Sequence, residues 1–319
     1  MSAIPWIGQD IVESIIIAII FLFIYLTALR SALKEKETRK ENLLPIGIIH
    51  PNAIKKYKRE LDKAEYLKIP QSFIAFFAGI VDGDGYIQIT RTGKGFIAIK
   101  LVISLHLNDI SSLQYINSVL KLGVISSYKD LKSPSCRLVI NKTDLQEILF
   151  PLLIFHNIFF LTETRIKQFN LAMQIMENNV KNYDDIKNLT KNHSILPKTT
   201  KGYLELDFFK NWIVGFTCAE GSFFMKKNHD GCYQLKQRLH NDLFEAFKLM
   251  FKTDRKIDIT DNFSQFGVSS KKDIQEVINF FSFSNLHPLI GNKYIQYIKW
   301  INELRNSKRY NMLTYPNIK

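Results

Sequence analysis

The feature that most restricts what this chain can fold into is an internal repeat, because two copies of one supersecondary unit leave few ways to share a core. From about Pro70 onward two segments follow the same plan. The first reads IPQSFIAFFAGIVDGDGYIQI over residues 69–89, and the second LDFFKNWIVGFTCAEGSFFM over residues 206–225. In each, an apolar helical run ends in a small residue, an acid and a glycine, then switches to the alternation of a strand. Aligned, Gly79 falls on Gly215, Gly83 on Ala219, Asp84 on Glu220 and Gly85 on Gly221.

Both segments continue in one order. Two strands follow, at 86–91 and 96–106 in the first and at 222–227 and 232–240 in the second, each pair joined by a glycine-containing turn. A helix comes next, with Asn108-Asp109 or Asn241-Asp242 as its cap. Two more strands are expected at 123–128 and 136–141, and at 256–261 and 264–269. Helices close each segment, at 142–154 with 162–176 and at 271–283 with 291–304. The pattern is αββαββα twice, an α+β fold of two pseudo-symmetric repeats at 70–177 and 206–306. Residues 178–205, polar and rich in Asn and Lys, read as the linker between them, and 307–319 as a C-terminal tail.

The front of the chain differs. Residues 14–29 carry no charge, but a run of about 16 is slightly short of the roughly 20 that span a bilayer. Trp6 and Tyr25 sit near its ends, and Arg30, Lys34, Lys36, Arg39 and Lys40 follow it, as on the positive-inside face. It reads either as a membrane segment or as a cleavable targeting segment. Residues 30–69, rich in Lys and Glu, read as a charged linker. Residues 1–13, MSAIPWIGQDIVE, resemble the stretch of mitochondrial cytochrome b before its quinol-site loop. That resemblance implies an intron-encoded reading frame of mitochondrial origin, with its catalytic part facing the matrix.

Several chemistries are excluded by what the sequence lacks. The three cysteines, Cys136, Cys218 and Cys232, form no CxxC pair, and the seven histidines show no zinc spacing. There is no Gly-rich phosphate loop and no Gly-x-Ser-x-Gly elbow. A net charge of +13 and a pI near 9.4 point instead to a polyanionic partner, nucleic acid or an anionic membrane.

The run FAGIVDGDG at 77–85 resembles the LAGLIDADG signature of homing endonucleases and intron maturases. The run IVGFTCAEG at 213–221 is similar to its second-copy variant. An EF-hand loop does not explain the first run: Ile87 stands where that loop needs Gly, and Gly93 where it ends in Glu. The resemblance covers about residues 70–305. It implies a two-motif monomer with a DNA-binding saddle, cutting long double-stranded targets with Mg²⁺ or Mn²⁺. It equally leaves open a maturase that binds its host intron RNA to assist splicing.

The residue types fit that chemistry. Gly79 and Gly215 let two helices approach at the backbone. Asp84 and Glu220 would then lie side by side at the helix ends, where a divalent cation can neutralise them. The resemblance assigns Gly83 and Ala219 to the same metal site. In the family that the chain resembles, an acid often stands two places before the catalytic one; Asp82 keeps it and Cys218 does not. The resemblance also implies a basic residue near the scissile phosphates. PLIGNK at 288–293 nominates Lys293, and the internal alignment with FLTETR at 160–165 nominates Arg165.

Strand parity suggests the DNA face. In the second repeat Gln234, Lys236, Arg238 and His240 share one face, opposite Tyr233, Leu235 and Leu239. In the first, Gln88, Thr90, Lys100, Ser104 and His106 are polar among Ile, Leu and Val. Such a face can read base edges in the major groove. Arg91, Lys94, Lys226 and Lys227 cluster at hairpin tips, where they would contact phosphate.

Overall fold

The computed structural model describes residues 63–129, 132–189 and 196–317. The expected leader at 1–13, the apolar run at 14–29 and nearly all of the charged segment at 30–69 lie outside the described residues. Among those described, no helix is long and apolar enough to cross a membrane.

After a short helix, Lys63–Leu67, each repeat opens with a motif helix: Gln71–Asp84 in the first and Phe209–Glu220 in the second. The first repeat continues with strands β1 (Gly85–Arg91), β2 (Ile97–His106), β3 (Val124–Tyr128) and β4 (Ser135–Asn141). The second continues with β5 (Gly221–Met225), β6 (Gly231–Arg238), β7 (Asp258–Ile259) and β8 (Phe263–Val268). Each set forms a four-stranded sheet, in the order β1-β2-β4-β3 and β5-β6-β8-β7, with all neighbours antiparallel. A helix lies between the second and third strand of each, Ile110–Leu120 and Asn241–Met250. Closing helices follow at Glu163–Glu177 and Gly291–Asn306. The α+β plan of two pseudo-symmetric αββαββα repeats is therefore what the chain forms.

Beyond their first turns the two motif helices are apolar on nearly every side, so they pack against each other at the centre of the paired repeats. Phe76, Phe77 and Ala78 of the first and Ile213, Val214 and Phe216 of the second are fully buried. Each helix gives way to a strand where a glycine removes the side chain. Gly85 and Gly221 donate back to Val81 O and Thr217 O and continue in extended conformation.

Some boundaries differ from the sequence reading. β5 stops at Met225 and β6 at Arg238, so Lys227 and His240 stand beyond the strands. β7 has two residues in place of the six expected. In the two penultimate helical runs, the middle turn Leu145–Leu149 of the first and the last turn Asn279–Phe283 of the second are π-helical. The segment between the repeats is packed along part of its length. Phe96 bridges Asn182, Ile97 N donates to Lys181 O, and Tyr203 is buried in the helix Thr200–Leu204. The C-terminal stretch docks as well, through buried Tyr310 and the Arg309–Asp230 ion pair.

Candidate active site

The site is set by how closely the motif helices cross. A methyl group at Gly79 would lie 2.1 Å from Trp212 O, and one at Gly215 would lie 1.8 Å from Phe76 O. Only glycine fits at either place, so the backbones touch. One turn further on, a methyl at Gly83 would lie 2.3 Å from the Ala219 Cβ and 3.1 Å from the Glu220 Cγ. Gly83 and Ala219 are thus contacts of the crossing itself. The carboxylates after them, Asp84 and Glu220, are brought together where the two helices end.

Electrostatics register that proximity. Burial, and then the Glu220 charge, raise the Asp84 carboxyl to about 6, against the opposing pull of Lys293 and Arg165. Glu220 is also raised, first by burial; a hydrogen bond from Gln237 Nε2 at 2.8 Å, then Lys293 and Arg165, pull it back. Two acids held close in a partly dry site favour a cation between them. Two hard oxygen donors suit Mg²⁺ or Mn²⁺, which retain waters and accept phosphate oxygens. Among the described residues no third acid, histidine or cysteine completes an all-protein metal cage.

The cations arrive from the closing helices. Lys293 Nζ donates to Gly221 O, immediately after Glu220. Arg165 Nε donates to Val81 O at 3.1 Å, three residues before Asp84. Both side chains are largely enclosed, and burial lowers both pKa values, with Asp84 and Glu220 acting in the opposite sense. Three residues along each helix a glutamine accepts a strand N–H: Gln168 from Ile87 at 3.0 Å and Gln296 from Phe223 at 3.4 Å. These matched glutamines fix the closing helices to the strands that follow the acids. Their equal offset from Arg165 and Lys293 in the aligned repeats was the signal that could have found them.

Asp82 plays a different part from Asp84. It is buried and accepts from Leu161 N (2.7 Å), Thr162 N (3.0 Å), Thr162 Oγ1 (2.5 Å) and Trp212 Nε1 (2.8 Å). Burial pushes its carboxyl up to about 6 against those donors. At the matching place Cys218 takes a hydrogen bond from the Ile290 backbone, and burial pushes its thiol up to about 12. In both repeats this position ties the motif helix to the start of a closing helix.

The sheet faces turned away from the helices carry most of the proposed DNA residues. Gln88, Thr90, Lys100, Lys236 and Arg238 are exposed, and Gln234 is half-buried. Gln88 pairs with Lys100 and Lys100 with Asn141, while Lys236 pairs with Gln265. Arg137 shares this face with Ser104 and Ser126 and stacks over Tyr128 at 5.1 Å. Its Nε is buried without a partner. At the tips Lys94 and Lys227 are exposed, Arg91 pairs with Asp184 at 3.2 Å, and Lys226 donates to Ser269 Oγ. His240 is turned inward, its Nε2 accepting from Glu163 N at 2.9 Å. Gln237 was hidden from the sequence reading because it has the parity of buried Tyr233 and Leu235, yet it emerges over Glu220 where the strand ends.

Residues 77–176 and 213–304 match the family described as LAGLIDADG endonuclease. Among similar curated proteins, probable intron-encoded endonuclease aI3 of Kluyveromyces lactis is 27% identical over 255 residues, covering 70% of this chain and 63% of that protein. Probable intron-encoded endonuclease 4 of Neurospora crassa is 25% identical, covering 71% of this chain but 38% of that protein. The chain thus spans less than two thirds of either relative. Two solved structures share the fold. The meganuclease I-CpaMI bound to uncleaved DNA gives a TM-score of 0.56 at 18% identity, covering 75% of this chain and 94% of that one. I-LtrWI bound to target DNA gives 0.57 at 17% identity, covering 76% and 92%.

Proposed function

The chain belongs to the LAGLIDADG endonuclease family, and we propose that it is a site-specific homing endonuclease. It hydrolyses phosphodiester bonds in both strands of a long duplex target spanning the insertion site of its own intron. The observation that carries this reading is the pair Asp84 and Glu220, delivered to one place by a helix crossing that only Gly79 and Gly215 permit.

Asp84 and Glu220 would hold a divalent cation such as Mg²⁺ or Mn²⁺, which when bound would supply Lewis-acid stabilisation of the phosphate and ease deprotonation of the attacking water. Gln237 orients Glu220. Lys293 and Arg165 stand beside the acids as fixed positive charges, placed to stabilise the negative charge that builds on each phosphate. One acid and one cation per repeat answer to one cut per strand. The two sheets supply recognition. Gln88, Lys100, Arg137, Gln234, Lys236 and Arg238 face the bases, and the tip cations Lys94 and Lys227 the phosphates.

Splicing of the intron RNA would make no demand for two adjacent acids, and the relatives carry endonuclease names; both facts support cutting over a maturase role. A mitochondrial matrix location rests on the cytochrome b-like opening residues. The experiment is incubation of the full chain with duplex DNA spanning the uninterrupted cytochrome b exon junction, with Mg²⁺ or with EDTA. Double-strand cutting with Mg²⁺ alone supports the reading. Binding of that duplex without cutting, or stronger binding of the intron RNA, overturns it.

A further inference from the structure

The closing helices carry the site's cations, and neither begins with a side-chain cap of its own: Thr162 and Ile290 occupy the cap positions without capping. The first turn of a helix leaves backbone N–H groups without helical partners. The N–H groups at and just before each cap are met from the same repeat, by Asp82 for the first helix and Cys218 for the second. An N–H of the first turn itself is met from the opposite repeat. His240, in the second repeat, accepts from Glu163 N at 2.9 Å, and Asp109, in the first, accepts from Asn292 N at 2.9 Å.

The geometry points to Asp109 and His240 as positioning residues that act across the repeats, Asp109 setting Lys293 and His240 setting Arg165. This inference rests on the endonuclease reading. Lys293 follows Asn292 directly, and Arg165 lies two residues after Glu163, so a shift of either first turn moves its cation. Asp109 is itself held by Ser112 Oγ at 2.8 Å, and its charge favours the protonated Lys293. Gly291 shows how tight the seat is. Its φ is +54°, and a methyl there would lie 2.2 Å from Asp109 Oδ1 and 1.9 Å from Ser112 Oγ. Each active centre is therefore complete only when both repeats are docked.

The test is strand-resolved, single-turnover cleavage by the full chain, with each strand of the exon-junction duplex end-labelled and saturating Mg²⁺. Asp109→Ala is expected to slow one strand and His240→Ala the other. The slowing should be about 10- to 100-fold, the scale for a catalytic group displaced by about 1 Å, with DNA affinity nearly unchanged. Asp109→Asn and His240→Gln keep a neutral acceptor and should recover most of the lost rate, which guards against a mere folding defect. Equal slowing of both strands by each variant, or weakened binding with unchanged rates at saturation, overturns the inference. Should the wild-type chain not cut at all, it is the endonuclease reading that falls.

Discussion

The Trp212 indole of the second motif helix donates to the Asp82 carboxylate of the first at 2.8 Å, a buried bond between residues 130 positions apart. The same carboxylate takes three more hydrogen bonds from Leu161 and Thr162, so one side chain joins both motif helices to a closing helix.

Asp82→Ala should therefore cost stability before it touches chemistry. Each buried donor left unpaired costs about 1–3 kcal/mol, and four lose their acceptor. Asp82→Asn should be only partly better, since its amide nitrogen cannot accept. Denaturant unfolding followed by Trp fluorescence would report both. A midpoint unchanged in either variant would contradict the role assigned to Asp82.

Asp84 predicts the opposite balance. Its carboxyl titrates at about 6 in the folded protein against an ordinary 3.8. Between those values the folded state binds more protons than the unfolded, so the metal-free protein loses stability as pH rises through the window. Asp84→Asn should raise the Tm at pH 7 and flatten its fall with pH, with a residual slope from Asp82 and Glu220. Mg²⁺ should stabilise the wild type at pH 7 but not the variant. Thermal melts from pH 4 to 7.5, with and without Mg²⁺, would show it.

The helix crossing allows no side chain at its centre. Gly79→Ala or Gly215→Ala must push the motif helices apart, at a cost of about 1–3 kcal/mol or more. The carboxylates separate with them. We expect a lower Tm and loss of cutting in each, and normal cutting by either variant would contradict the backbone contact.

Gln237 makes the two centres unequal. The strand register aligns Gly85–Ile103 with Gly221–Leu235, which sets Leu105 opposite Gln237. Glu220 thus has a hydrogen-bonded side-chain partner where the first repeat offers a leucine. Gln237→Leu should slow one strand more than the other, so that nicked plasmid accumulates during cutting of a supercoiled substrate. Equal slowing of both strands would contradict the asymmetry.

Much of this was legible in the sequence because it is local. The repeat, the paired glycines, the acid at the end of each motif helix and the order of strands all follow from periodicity and spacing. Lys293 came from the family resemblance and Arg165 from aligning the repeats, and both lie by the acids. What escaped depends on contacts between the repeats. Asp109 looked like the cap of its own helix but serves the helix carrying Lys293. His240 continued the polar parity of β6, yet the strand ends two residues earlier and its ring turns toward Glu163. The segment between the repeats read as a polar linker, although its backbone pairs with Gly95 and Ile97. Parity fails where a strand ends, and capping partners from the opposite repeat have no fixed spacing.

In the proposed enzyme Asp84 and Glu220 carry the chemistry while the sheets carry the recognition. The most direct measurement is cleavage and binding of the same duplex by Asp84→Asn and Glu220→Gln with saturating Mg²⁺. Neither variant is expected to make the double-strand cut, while both should bind within a few-fold of wild type. Double-strand cutting that survives in either variant would contradict that assignment.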